Sequence, residues 1–424
     1  MADGPGGFPF TRSPEASGFA AAGLDRLRDY MAGMVEAERI AGGAILLMRH
    51  GQMVTFDTFG AARLDTGQPV SPDTIYRIYS MTKPIVSVAL MTLYEQGLWS
   101  LDDPVTRFIP EFERLRVFVG EGPDGEMITE PAHRAPTMRE VMSHTAGFGY
   151  GLFDLHPVDR LVARRGVLQS KGLVDLIDRI ADIPLMFQPG TEWSYSVASD
   201  IQGRLVEIIS GERLGDYLGR VIFEPLGMKD TAFHVPAGNV DRLAAMYAAQ
   251  PDGRLAEATH MLGLPINDFT RAPAMEMGGG GLVSTAGDYA RFCQMVLNRG
   301  ELDGVRILAP ESIDLMATNM VAEEVLAVEN PARLLPFSPA FAFGLGFSIV
   351  RDPAALGAFE GRGTLAWGGA GGTWFWIDPE HDIVFIGLIQ RLADPVSAEF
   401  RAVARKLTYE ALTHRGAAHP GETK

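Results

Sequence analysis

Apolar residues recur along residues 25–39 at Leu27, Tyr30, Met31 and Met34, the three-and-four spacing that keeps one face of a helix dry. The pattern then shortens. Residues 44–48 and 53–59 are two β-like runs joined across His50-Gly51-Gln52, which signals a hairpin. A third short strand, residues 74–78, leads directly into Ser80. From Met81 to Leu98 the chain is almost continuously apolar; this is too long for a strand and predicts a helix buried on most sides. Pro84 falls in its first turn, where a missing N–H has no helical partner to lose, and Gly97 stands near its end as a C-terminal stop.

The middle of the chain, about 104–275, carries helix signals and loops. Thr137-Met138-Arg139-Glu140 is a capping box opening a short helix that stops by Gly147, and residues 196–209 form a helix ended by Gly211. Strands return at residues 344–350, 372–377 and 383–389, the last two joined by the turn Asp378-Pro379-Glu380-His381-Asp382. A final helix covers 395–414. Strands at both ends with helices between predict an α/β chain of the α+β type, built as one catalytic unit. Its antiparallel sheet, flanked by helices, comes from residues about 23–103 and 276–424; a mostly helical lobe, about 104–275, is inserted; residues 1–22 form a loose arm. The cleft between two such lobes is a common place for an active site.

Composition narrows the function. The 424 residues are 46% hydrophobic and 21% charged, an ordinary globular balance. Lys and Arg total 37 against 53 for Asp and Glu, a net charge of −16 with no basic run, which argues against a nucleic-acid partner. Cys293, the one cysteine, excludes an intrachain disulfide and sits in an amphipathic helical stretch as a buried structural thiol. No run approaches the ~20 apolar residues of a membrane span, and residues 1–22 lack a basic start followed by an apolar core, so a cytoplasmic protein with no membrane partner is expected. Nine His are scattered without a His-Glu-x-x-His pair or other ligand cluster; no metal or other cofactor is expected. The oligomeric state stays open.

The sharpest chemical signal is Ser80-Met81-Thr82-Lys83. Residues three apart on a helix share a face, so the Lys83 amine reaches the Ser80 hydroxyl. The helix start also offers unpaired N–H groups that can hold an oxyanion. Ile85, Val86 and Val88 surround Lys83 with apolar neighbours, and lost hydration lowers an amine's pKa until it serves as a base. Taken alone, the motif reads equally as an N-cap serine followed by a solvated lysine. No Gly-x-Ser-x-Gly elbow occurs, and Ser284 is read as the cap of the following helix.

With Tyr195 and Trp367-Gly368-Gly369 added, the order of motifs resembles the family VIII carboxylesterases, relatives of class C β-lactamases and D-Ala-D-Ala peptidases. The resemblance also takes in Leu101 to Val105, Ser143 to Gly147, Pro189 to Ser196, Pro225 to Met228 and Gly278 to Ser284, nearly the whole chain. It implies a β-lactamase/transpeptidase-like fold and a serine carboxylesterase acting on small or short-chain esters through an acyl-serine, with weak β-lactam hydrolysis, acyl transfer, D-Ala-D-Ala peptidase activity or a non-catalytic binding role as alternatives. Ser80 is then the nucleophile, Lys83 its base, and Tyr195 a proton relay whose phenolate the nearby lysine favours. The backbone N–H groups of Ser80 and Ala370 become the oxyanion donors. Trp367, Gly368, Gly369, Val197 and Tyr150 become substrate-binding residues, the two glycines by letting substrate lie against the strand backbone. Two departures from the β-lactamases, Val197 in place of an Asn and Trp367 in place of a Lys, remove a polar anchor and a cation and favour a neutral ester. Tyr150, Phe148, Trp193, Trp374 and Trp376 are candidates for an acyl pocket or for core. His144, inside its own motif, is read as structural.

Overall fold

The computed structural model describes residues 4–154, 156–261, 264–327, 338–392 and 395–413. Its centre is an eight-stranded antiparallel sheet. In chain order the strands are β1 (Gly42–Arg49), β2 (Gln52–Arg63), β3 (Gln68–Pro69), β4 (Phe341–Phe343), β5 (Ser348–Val350), β6 (Leu365–Gly368), β7 (Trp374–Asp378) and β8 (Ile383–Ile389). Across the sheet they run β4-β5-β6-β7-β8-β1-β2-β3, so the first hairpin docks on the last strand, with Leu46 opposite Ile386. Both edges thus come from distant parts of the chain.

Both faces of the sheet are covered, which is why residues 44–48 and 383–389 read as continuous apolar runs rather than as an alternation. Ala44, Leu46, Met48, Val384, Ile386 and Leu388 point into one core; Ile45, Leu47, Ile383, Phe385 and Ile389 point into another. The second core is closed by α1 (Ala21–Glu36), through Leu24, Leu27, Met31 and Met34, and by the C-terminal helix Pro395–Glu410. The first and larger core holds α2 (Thr82–Glu95), α3 (Ala198–Ser210) and α4 (Ala286–Leu297); the C-terminal helix is α5. Residues 82–91 of α2 are all buried, and Ser87 donates to the Gln202 side chain of α3 at 2.9 Å, tying the two helices together. Among the described residues no helix is long and apolar enough to cross a membrane.

Several expectations need correction. The arm over residues 1–22 is packed rather than loose along its described part. Phe8 belongs to the larger core, Phe19 is fully enclosed by the smaller one, and Phe10 bridges Met53, so three aromatic anchors outweigh the Gly and Pro around them. The third strand shrinks to Tyr76–Arg77, paired with Val283–Ser284. Residues 344–350 divide: β4 and β5 are joined by a tight turn in which Gly344 N–H donates to Phe347 O at 2.8 Å. Residues 104–275 hold helices but also hairpins, Arg116–Glu121 with Met127–Pro131 and Tyr247–Ala249 with Leu255–Glu257. The last helix ends at Glu410, and His414 lies outside the described residues.

Candidate active site

Ser80 is presented by a backbone held from three sides. Ile78 N–H donates to Leu282 O at 3.1 Å, and Ile78 O accepts from the Thr373 hydroxyl at 3.2 Å. Tyr79 adopts φ 43°, a region that costs a non-glycine residue on the order of 1 kcal/mol and persists only where the surroundings impose it. The Tyr79 ring is buried edge-on to Phe269, 6.1 Å between centroids. One 3₁₀ turn, Tyr79–Met81, then opens into α2.

Lys83 is not a solvated first-turn residue: only 1% of it is exposed. Its Nζ lies 3.1 Å from Ser80 Oγ, 3.0 Å from the Tyr150 hydroxyl and 2.5 Å from the Gly279 carbonyl oxygen. Burial pulls its pKa down to about 7, against the opposing pull of Asp200. A neutral amine here keeps two N–H donors for Tyr150 and Gly279 and turns its lone pair toward the Ser80 hydroxyl. That is the arrangement a base requires.

The two phenols divide their contacts differently from the expectation. Lys83 Nζ sits over the face of the Tyr195 ring, 4.5 Å from its centroid, a cation–π contact. The Tyr195 hydroxyl accepts from Trp367 Nε1 at 3.3 Å, while the lysine's direct phenol partner is Tyr150. The Tyr195 phenolate expected beside Lys83 is therefore not favoured: burial pushes its pKa up, and hydrogen bonding with Ser80 and Trp367 only moderates the rise. Burial likewise holds Tyr150 well above the ordinary tyrosine value. Both phenols are neutral donors at neutral pH, beside one amine poised to change charge.

Asp200 and Gly279 complete the cluster, and the sequence reading had assigned neither. Asp200, in the first turn of α3, is fully buried. Its Oδ1 accepts from Gly279 N–H at 2.9 Å, while Oδ2 has no hydrogen-bond partner. Burial raises its pKa and the Lys83 charge opposes that rise, so each charge sustains the other in a dry site. A Cβ on Gly279 would stand 2.6 Å from Asp200 Oδ2, so this glycine is required by close approach. The available signal was an aspartate among the apolar residues of a buried helix.

Trp367-Gly368-Gly369 ends β6, and the turn that follows packs against the segment that carries Ser80. A Cβ on Gly369 would meet Ile78 O at 2.3 Å and one on Gly371 the Tyr79 ring at 3.0 Å, which places Ala370 in the turn beside Ser80. Both motif glycines are explained by the protein's own packing, since a Cβ on Gly368 would lie 2.5 Å from Arg401 Nη1. Trp367 is half-buried against Tyr195 and Phe343. Val197 is a correction: it is fully enclosed in the larger core just before α3, so it is packing and no part of a substrate surface. Trp374 and Trp376 belong to the other core, behind the sheet, and Phe148 packs on Phe112. Trp193 does reach the site, stacked on Tyr195 with centroids 6.2 Å apart. His144 is enclosed by Tyr195, Trp193 and Phe343 with Nδ1 at 3.2 Å from Ser196 Oγ, and burial holds its pKa well below the ordinary value. Thr285, not Ser284, caps α4, and Cys293 is buried with its thiol pKa pushed up. No cluster of metal-ligating side chains occurs among the described residues.

The family model described as "Beta-lactamase" matches residues 27–410. The chain belongs to the β-lactamase family. Within it, the chain is 35% identical over 363 residues to protein Rv1367c of Mycobacterium tuberculosis, covering 85% of this chain and 88% of that one. It is 31% identical over 371 residues to esterase EstB of Burkholderia gladioli, covering 84% and 86%. Among solved structures, EstCE1, described as a hydrolase with promiscuous acyltransferase activity, superposes with a TM-score of 0.76 at 26% identity, covering 92% of this chain and 98% of that one. The fold is that of β-lactamases and transpeptidases, and this family member is a serine hydrolase enzyme.

Proposed function

We propose that the protein is a carboxylesterase that hydrolyses small, neutral esters through an acyl-Ser80 intermediate. The observation that carries the reading is a dry Lys83 amine 3.1 Å from the Ser80 hydroxyl with a pKa brought to about 7. Lys83 takes the Ser80 proton as the oxygen attacks the ester carbonyl, and the N–H groups of Ser80 and Ala370 receive the oxyanion. The carbon–oxygen bond to the alcohol breaks, and the proton passes from the lysine, with Tyr195 and Tyr150 as neutral donors, to the departing alkoxide. Water then gives a proton to Lys83 and attacks the acyl carbonyl; the bond to Ser80 Oγ breaks as Lys83 returns that proton to the oxygen, releasing the acid and the free Ser80 hydroxyl. The half-buried Trp367, backed by the enclosed Trp193 and Phe343, offers apolar surface at the site, which suits an uncharged substrate.

The test is a panel of p-nitrophenyl esters beside a chromogenic cephalosporin, with intact mass read during turnover. The expected result is ester hydrolysis, an acyl adduct on Ser80, at most slow cephalosporin opening, and no adduct or turnover in Ser80→Ala. Undiminished hydrolysis by that variant overturns the reading. The promiscuous acyltransferase activity of EstCE1 favours a second outcome of the same intermediate, capture by an alcohol. Added alcohols then yield transfer esters at the expense of free acid.

A further inference from the structure

Arg401 lies on α5, behind the turn that carries Ala370. Its Nη2 donates to the Gly369 carbonyl oxygen at 2.9 Å, and Gly372 N–H donates to the same oxygen at 3.1 Å. The guanidinium fits only because residue 368 has no side chain. Its Nε is buried without a partner, and among the described residues no carboxylate pairs with it. One turn further along the same helix, Arg405 is paired with Glu360 at 2.9 Å. The helix therefore carries two partly buried arginines, one paired with an acid and one directed at a backbone carbonyl. Leaving a cation in such a place without an acid costs stability, and packing alone would be served as well by an apolar chain.

The bonded carbonyl explains it. Gly369 C=O and Ala370 N–H belong to one peptide unit, which is planar and trans, so the two groups point in opposite directions. We propose that Arg401 is a positioning residue for the oxyanion site: by clamping Gly369 O toward α5 it turns Ala370 N–H toward Ser80 and polarises that peptide into a stronger donor. A charge-assisted hydrogen bond at the carbonyl end draws electron density from the amide and strengthens the N–H at the other end. The arginine never touches substrate. Its charge persists at neutral pH, since burial and the neighbouring Arg405 bring its pKa down only to about 10. The inference rests on the reading of Ser80 as the acylated residue.

The test compares wild type with Arg401→Gln and Arg401→Lys, using an ester ¹³C-labelled at the carbonyl. For Arg401→Gln, kcat falls about 10–100-fold with KM nearly constant, in proportion to a weakened oxyanion donor. The isotope-edited infrared band of the acyl carbonyl moves to higher wavenumber, which loss of packing would not cause. Arg401→Lys, which keeps a cation, gives an intermediate band and rate, and serves where the glutamine variant fails to fold. A folded variant with wild-type band position and kcat overturns the proposal, as does a rate loss that only follows the folded fraction while the band stays fixed. Failure of the Ser80 reading is seen separately, as a wild-type enzyme that turns over ester with no labelled serine adduct, and it removes both.

Discussion

Two buried clusters of ionisable groups stand against the two cores, one on each side of the sheet. Behind it, Asp378 accepts from Tyr409 at 2.6 Å, from His381 Nδ1 and Gly361 N–H at 2.8 Å, and from the backbone of Glu380 and His381 at 3.0 Å. Those bonds outweigh burial and lower its pKa. In front, Asp200 has one oxygen bonded and one bare, its pKa is raised, and Lys83 is brought to about 7. Burial is comparable in the two places. What differs is how completely the charges are satisfied: a full set of donors locks one protonation state, whereas an incomplete set leaves two states close in energy. The first cluster holds structure, and the second is suited to moving a proton.

That contrast can be broken by substitution. Lys83→Ala removes the proposed base, and kcat for an ester falls by about 10⁴-fold or more in steady-state assays, with the protein still folded. Asp378→Asn has the opposite profile. Unfolding in urea shows a loss of about 3 kcal/mol, and activity per folded molecule is unchanged. Because the Asp378 pKa is lowered on folding, its contribution is full above the ordinary carboxylate value near 4 and disappears as the pH falls below it, so the variant and wild type converge in acid.

Smaller effects sharpen the front cluster. Tyr150→Phe and Tyr195→Phe each lower kcat by roughly 100-fold, since each removes a proton donor beside Ser80. The rate rises with pH through about 7, because only neutral Lys83 accepts the serine proton. Asp200 favours the charged amine, so Asp200→Asn moves that midpoint to lower pH, by on the order of one unit, in a kcat/KM profile. Trp367→Phe deletes the indole donor to Tyr195 and lowers kcat about 3–10-fold, the scale of one hydrogen bond.

The parts of this protein open to reading along the chain are those set by local period and short spacing. The first hairpin, the helix after Ser80, the capping box at Thr137 and the three-residue step from Ser80 to Lys83 each depend on neighbours within about one turn. Order along the chain also tied Tyr195 and Trp367 to the same site. Contacts between distant segments were a different matter. Val197 and Trp367 stand as adjacent features of one motif set, yet only packing decides that the first is enclosed and the second lines the site. Trp374 and Trp193 look alike in sequence, but a strand exposes alternate residues to opposite cores, and pairing register sends the first behind the sheet.

The sequence by itself therefore determined the fold class, the pairing of Ser80 with Lys83, and the family, because these rest on residue type, period and order. The tertiary structure alone decided which phenol takes the lysine's hydrogen bond, that Asp200 and Gly279 join the cluster, and that Arg401 backs the Ala370 turn. Those depend on distances between residues 32 to 196 positions apart, and on how much water their packing excludes, which is what sets a pKa.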